Sequence, residues 1–193
     1  MYHSGQRDLQ DRFNSRALAD RLDERVRHDR FTDADKRFIE ALPFFFLATA
    51  DAEGRPDCSY KGGDPGFVRV SAPDLLVFPD YDGNGMFRSL GNIAVNPSVG
   101  LLFLGLGDQG VRLRVNGQAR LILEGEQLEG WPGAQALVEV IPGAIFPNCG
   151  RYIPGFRMEA PSADPPRAGQ PAPEPEWKRH ALFRDVVPPR HRP

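Results

Sequence analysis

The chain has 193 residues, 40% of them apolar and 26% charged, with a formal net charge of −2. That is enough for one ordinary domain with extensions and a real core, and too little positive charge for the electrostatic footprint of a nucleic-acid binder. No apolar run reaches the length of a membrane span, and the charged N-terminus is unlike a secretory leader, so a cytoplasmic protein with no membrane and no nucleic-acid partner is the expectation.

Residues 1–30 are strongly charged, with Leu18, Leu22 and Val26 at four-residue spacing. This predicts a helix with a narrow apolar stripe, packed on the body of the protein or on a partner subunit. Thr32 suits the N-cap of a second helix over 33–42, with Asp35 as its capping-box partner. Pro43 ends that helix.

The run from Phe44 to Ala50 reads as a buried strand, closed by a turn over 51–54 and returned by 56–61. Within the return strand, Cys58 reads as a small core residue. A glycine-rich loop over 62–66 leads to a second hairpin, 67–71 with 75–78. A turn-rich loop over 79–87 then feeds a short helix that carries Arg88 in its first turn and ends at Asn96-Pro97. A strand running into a helix N-terminus gathers free backbone N–H groups and a favourable dipole end, and Arg88 adds a planar, permanently charged fork. Such a junction suits a phosphate; an ordinary connection bearing an exposed arginine fits the same residues.

Val99 to Leu104 is a continuous apolar strand, and after a turn over 105–110 the residues 111–116 alternate strictly. Val111, Leu113 and Val115 take the core face and Arg112 and Arg114 the other. Gly117 permits a bulge or a close backbone approach, with 118–123 continuing the strand. A last strand is expected over 136–145, interrupted at Pro142-Gly143. The stretch 161–175 is rich in Pro, Ala and acidic residues and reads as a linker or an ordered but irregular tail, after which Trp177, Leu182, Phe183 and the Val186-Val187 pair are placed to dock. Seven short strands joined by hairpins, with one internal helix, predict an antiparallel barrel or sandwich.

Cys58 and Cys149 form no framework of disulfides or C-x-x-C motif, and both are expected to stay reduced. The four histidines, His3, His28, His180 and His191, all lie near the termini. A His-based triad or zinc site would have to be assembled from the extensions, so no metal site is expected and a bound cofactor is the better source of difficult chemistry.

Six motifs in order then carry a resemblance: Phe-Phe-Leu-Ala-Thr-Ala-Asp-Ala-Glu-Gly-Arg-Pro-Asp, Lys-Gly-Gly, Gly-Phe-Val-Arg-Val, Asp-Tyr-Asp-Gly-Asn, Asn-Pro-Ser-Val-Gly-Leu-Leu-Phe and Leu-Arg-Val-Asn-Gly-Gln-Ala-Arg. Over about residues 38–125, with a looser match to the final strand, the chain resembles the pyridoxamine 5'-phosphate oxidase-like, FMN-binding split-barrel family. The resemblance implies a mainly β fold, an antiparallel Greek-key split β-barrel with flanking helices. It divides the chain into an N-terminal helical extension over 1–37, the barrel over 38–159 and a Pro-rich tail over 160–193. It also implies a homodimer with FMN at the subunit interface and a small-molecule redox substrate.

Transferred position by position, the resemblance puts Val68, Arg69 and Val70 along the flavin ring, with Ser59, Lys61 and Gly62 close by. Pro79, Asp80, Tyr81 and Asn84 would flank the ribityl chain. Arg88 and Ser89 would hold the phosphate, Ser89 standing where family members often have a second basic residue. Arg112, and less directly Gln118, would reach FMN from the second subunit, and Arg151 and Tyr152 fall on the substrate side. Exposed arginine on a strand is the plain alternative for Arg69 and Arg112. No residue is assigned as catalytic. The tail does not align with the substrate-binding end of true pyridoxamine phosphate oxidases, so that reaction is not implied. The remaining alternatives are a non-catalytic flavin sensor or carrier, or the same barrel binding haem or a deazaflavin.

Overall fold

The computed structural model describes residues 2–107, 110–170 and 172–188. His191, noted above near the C-terminus, lies outside them, as does part of the turn expected over 105–110. Three helices open the chain: α1 (Ser4–Arg12), α2 (Arg16–Arg25) and α3 (Asp33–Glu40). Then come β1 (Phe44–Ala50), β2 (Pro56–Gly62), β3 (Arg69–Ala72), β4 (Leu75–Tyr81), α4 (Arg88–Val95), β5 (Ser98–Leu104), β6 (Arg112–Ile122) and β7 (Ala134–Asn148). The strands form one antiparallel sheet in the order β2-β1-β5-β6-β7-β4-β3. The hairpins β1–β2 and β3–β4 occupy its two ends and the meander β5–β6–β7 lies between them. The chain must therefore cross from β4 to β5 through α4, the Greek-key step of a mainly β, antiparallel split barrel.

Strand β1 shows why the sheet has one dry face. Phe45, Leu47 and Thr49 are buried, while Phe44 and Phe46 lie on the other face beside Tyr60. Phe45 sits at the centre of the core, its ring 4.9 Å from that of Phe78, 5.2 Å from Phe103 and 6.0 Å from Phe67. It thus ties β1 to β4, β5 and the loop before β3, at about 1.5–3 kcal/mol for burying the side chain.

Helix α3 starts as its sequence requires. Thr32 Oγ1 accepts from Asp35 N at 3.2 Å, and the Asp35 carboxylate accepts from Thr32 N at 2.9 Å. The helix ends at Glu40, short of the expected 42. Its side chains also finish the edge of β3: Lys36 Nζ donates to Val70 O at 2.7 Å, and Glu40 Oε1 accepts from Val70 N at 3.0 Å. An edge strand that would otherwise expose its backbone is thereby closed.

Three expectations need correction. The N-terminal residues form two helices rather than one, with Asn14 in the left-handed region at their junction, and Leu18 and Leu22, both on α2, are exposed in the single chain, so they do not pack on the body of the protein. The anchor is instead a backbone pair between His28 and Ile145. Strand β7 is not interrupted at Pro142-Gly143. Asn116 faces Ala144 and Gly117 faces Pro142, so Gly143 is an extra residue in a bulge and the strand runs on. Gly117 permits this approach, since a Cβ there would lie 2.2 Å from Ile141 O. Finally, Cys58 is exposed, because β2 is an edge strand and position 58 takes its outer side.

In the tail, Leu182, Phe183 and Val186 remain exposed. The residue of that segment that docks is Lys178, which is buried.

Candidate functional site

Strand β2, the end of β4, the loop over 82–87 and the first turn of α4 enclose a cleft of about 390 Å³. Its wall includes Ser59, Lys61, Asp80, Tyr81, Asn84, Arg88 and Ser89. These positions come from two separate stretches of sequence, 59–61 and 80–89. The Greek-key crossing of β4 into α4 brings them beside β2.

The loop is built to deliver a bare helix start. Asn84 Oδ1 accepts from Met86 N at 3.0 Å, and Gly85 takes φ 73°. Phe87 then occupies the N-cap position at φ 47°, a left-handed conformation that is uncommon for a bulky residue, and no side chain caps the helix. The first-turn N–H groups of α4 are thus left to other partners. Ser89 is buried there, and Arg88 Nε donates to Asp57 Oδ1 at 3.2 Å.

On the opposite side, Asp80 is nearly buried and held from two directions. Lys61 Nζ lies 3.6 Å from its Oδ1, and Gln135 Nε2 donates to its Oδ2 at 2.7 Å and to Tyr81 O at 3.3 Å. Burial raises the Tyr81 phenol above its ordinary value, the Asp64 carboxylate adds to this, and Arg69 opposes it. Tyr81 therefore presents a neutral hydroxyl at physiological pH. The cleft combines a phosphate-suited end with a polar, hydrogen-bonding wall.

The sequence profile of the family described as "Pyridoxamine 5'-phosphate oxidase" matches residues 31–162, more than half of the chain. The chain belongs to this family. No curated protein matches the sequence. Among solved structures, it is similar to HupZ of Group A Streptococcus, with 19% identity and a TM-score of 0.48 over 66% of this chain and 99% of that one. It is also similar to a candidate pyridoxamine 5'-phosphate oxidase of Lactobacillus delbrueckii, with 19% identity and a TM-score of 0.47 over 62% and 95%. HutZ, the heme storage protein of Vibrio cholerae, matches at 20% identity and a TM-score of 0.41 over 63% and 97%.

Within this pyridoxamine 5'-phosphate oxidase family member, other expected site positions stand apart from the cleft. Val68 and Val70 are core residues. Arg69 lies with its guanidinium carbon 3.7 Å over the Trp131 ring and donates to Gly130 O at 3.1 Å. Gly62 and Pro79 belong to β2 and β4 but do not line the cleft. Arg112 and Gln118 lie on β6, also away from it. Arg151 and Tyr152 engage each other, Nη2 to hydroxyl at 2.9 Å, and neither lines the cleft.

Among the wall residues missed in the sequence are Asp57, Cys58 and Gln135. Gln135 carries a readable signal as a lone amide at the start of the apolar run 134–138. Asp57 and Cys58 carry none, because their exposure depends on β2 being an edge. Among the described residues, no cluster of three or more His, Cys, Asp or Glu side chains could hold a metal ion, and no helix is long and apolar enough to cross a membrane.

Proposed function

We propose that the cleft binds FMN and that the protein is a homodimeric flavoprotein acting as an oxidoreductase on a small molecule. The observation that carries this reading is the convergence of Arg88, buried Ser89 and an uncapped helix start at one end of a cleft whose other wall holds Lys61 and Asn84. An FMN phosphate carries about two negative charges, and guanidinium, hydroxyl and free N–H groups are the donors it needs. FMN, when bound, supplies hydride or electron transfer.

The chain's own residues supply binding and polarity. Arg88 and Ser89 hold the phosphate, with Asp57 orienting Arg88. Asn84, Asp80 and Tyr81 flank the ribityl hydroxyls, which suit a mixed set of acceptors and donors. Lys61, steadied by Asp80, brings positive charge to the β2 wall, and Ser59 adds a hydroxyl.

The homodimer is supported by the outer face of the sheet. Tyr60, Phe46, Leu102, Arg114 and Phe146 form one cross-strand row over β2, β1, β5, β6 and β7. The adjoining row is small: Cys58, Ala48, Gly100, Asn116 and Ala144. Large apolar groups beside a shallow trough form a self-complementary surface of the kind a two-fold contact needs. The cross-strand pair Arg112 and Asn148 lies on the same face, and its Nε and Oδ1 atoms are buried without a hydrogen-bond partner. A second copy would satisfy both, and would bring Arg112 toward the flavin.

The test is the visible spectrum of the purified protein titrated with FMN, with riboflavin, a deazaflavin and haem as parallel arms. FMN binding with a bound-flavin spectrum, and weaker binding of phosphate-free riboflavin, is expected. A protein that takes up haem or a deazaflavin but not FMN would replace this reading. Anaerobic bleaching by a nicotinamide donor then separates an oxidoreductase from a carrier.

A further inference from the structure

We propose that Lys178 and Arg167 are positioning residues for the cleft, and that the Pro-rich segment carrying them is a strap whose docking is coupled to flavin binding; this rests on the FMN reading above. The segment lacks apolar anchors, yet two ion pairs fix it to the two loops that flank the cleft. Lys178 is 8% exposed, and its Nζ lies 2.6 Å from both carboxylate oxygens of Asp82. Asp82 sits between the wall residues Tyr81 and Gly83. Arg167 forms a fork on Asp64, Nε to Oδ2 at 2.7 Å and Nη2 to Oδ1 at 2.8 Å, three residues beyond the wall residue Lys61.

Just ahead of the Arg167 clamp the segment packs closely. Gly133 takes φ +70°, and a Cβ there would lie 2.3 Å from Pro166 Cβ. Arg167 Nη2 also donates to Ser162 O at 3.2 Å, which folds the strap back on itself. A linker has no reason to bury a lysine. Removing a cationic group from water is unfavourable unless its partner is well placed, so this contact holds the loop over 82–87 in one position. That loop supplies Asn84 and the left-handed Phe87 that opens the start of α4. The second clamp acts on Tyr81, whose phenol is raised in part by the Asp64 carboxylate that Arg167 pairs with.

If strap and loop form a single unit, FMN and the strap each favour the other, because coupling between sites is reciprocal. Lys178 need not touch FMN to affect its binding; it acts through Asp82. Prolines across 161–175 lower the entropy lost when the strap docks, which keeps the equilibrium poised.

The experiment compares full-length wild type with Lys178→Met, Lys178→Arg and Asp82→Asn. It reads FMN affinity by flavin fluorescence quenching and tryptic cleavage within 161–179 with and without FMN. In wild type, FMN should slow cleavage of the strap by roughly fivefold or more. Lys178→Met and Asp82→Asn should weaken FMN binding by roughly 5- to 20-fold and abolish that protection, while Lys178→Arg retains both within about threefold. Equal FMN affinity and equal protection in wild type and Lys178→Met would overturn the coupling and leave the FMN reading intact. Should Lys178→Met fail to fold, Asp82→Asn decides, since it alters an exposed loop carboxylate. Absence of FMN binding by wild type itself overturns both, and is seen in a different arm of the experiment.

Discussion

Arg88 Nε donates to Asp57 Oδ1 at 3.2 Å, so the guanidinium at the start of α4 is already turned by a carboxylate from β2. The pair is half open to solvent and contributes little stability by itself. Its consequence is orientation, and it sets opposite expectations for its two members. Arg88→Ala removes the charged donor and leaves Asp57 facing an anionic ligand. FMN affinity should fall by roughly 10- to 100-fold, the equivalent of about 1.5–3 kcal/mol for a charged hydrogen bond. Asp57→Asn removes a competing carboxylate and should tighten binding by up to about fivefold, since exposed pairs are worth about 0.2–1 kcal/mol. Isothermal titration with FMN checks both, and unchanged affinity in Arg88→Ala would remove the phosphate assignment.

Leu102 and Phe146 lie on the same outer row of the sheet, separated only by Arg114 of β6. Leu102→Glu places a carboxylate in the middle of that row, where association would bury it, and should convert the proposed dimer to a monomer at micromolar concentration, read by light scattering coupled to gel filtration. Because Arg112 is on the same face, the monomer should also lose FMN affinity. A variant that stays dimeric with wild-type affinity would show that the two copies meet elsewhere.

Much of this architecture was legible because local rules agree. The alternation of 112–116, the Thr32–Asp35 box and the proline stops each state one answer, and the structure has each of them. Val111, expected on the core face, precedes the first residue of β6 and is exposed. The cleft was half legible. Ser59, Lys61, Asp80, Tyr81, Asn84, Arg88 and Ser89 converge on it, but Asp57 enters only through strand pairing, which sequence periodicity does not encode. Cys58 was misplaced for the same reason: period two tells which side a residue takes, not which side is dry at a sheet edge. The sequence of the strap leaves a linker and an ordered but irregular tail equally open, because its two clamps are ionic, and ion pairs between residues 96 and 103 positions apart leave no local pattern.

At Gly117 the backbone of β7 leaves no room for a side chain on β6. A methyl group there would meet Ile141 O at 2.2 Å, and the neighbour is backbone within a bulge, with no flexible side chain to yield. Gly117→Ala should therefore destabilise the barrel by about 1–3 kcal/mol or more, seen as a lower urea midpoint with an unchanged slope. Gly91→Ala in α4 is the matched control, since a Cβ there meets nothing within 4 Å and helix propensity favours alanine by about 1 kcal/mol.

Asp35 links the helix start to the joint that carries the N-terminal arm. Its carboxylate accepts from Thr32 N at 2.9 Å, from Thr32 Oγ1 at 2.6 Å, and meets His28 Nε2 at 2.9 Å. Burial alone would raise this carboxyl, but the Thr32 and His28 hydrogen bonds outweigh burial and hold it below its ordinary value of 3.8. A carboxylate whose pKa is lower in the folded state stabilises the protein above the unfolded value, and that contribution is lost as pH falls through the folded one. Wild type should therefore lose this increment only below about pH 4. Asp35→Ala should lower stability at pH 7 by about 0.5–2 kcal/mol, the range for a lost cap, and the gap between the two proteins should narrow in acid. Urea denaturation from pH 7 to pH 3 measures the gap directly. A gap that stays constant across that range would mean that the charge of Asp35 contributes nothing and that the variant acts through shape alone. The His28–Ile145 backbone pair should exchange its amide protons faster in the variant, because the ring that Asp35 holds belongs to the same residue that joins the arm to β7.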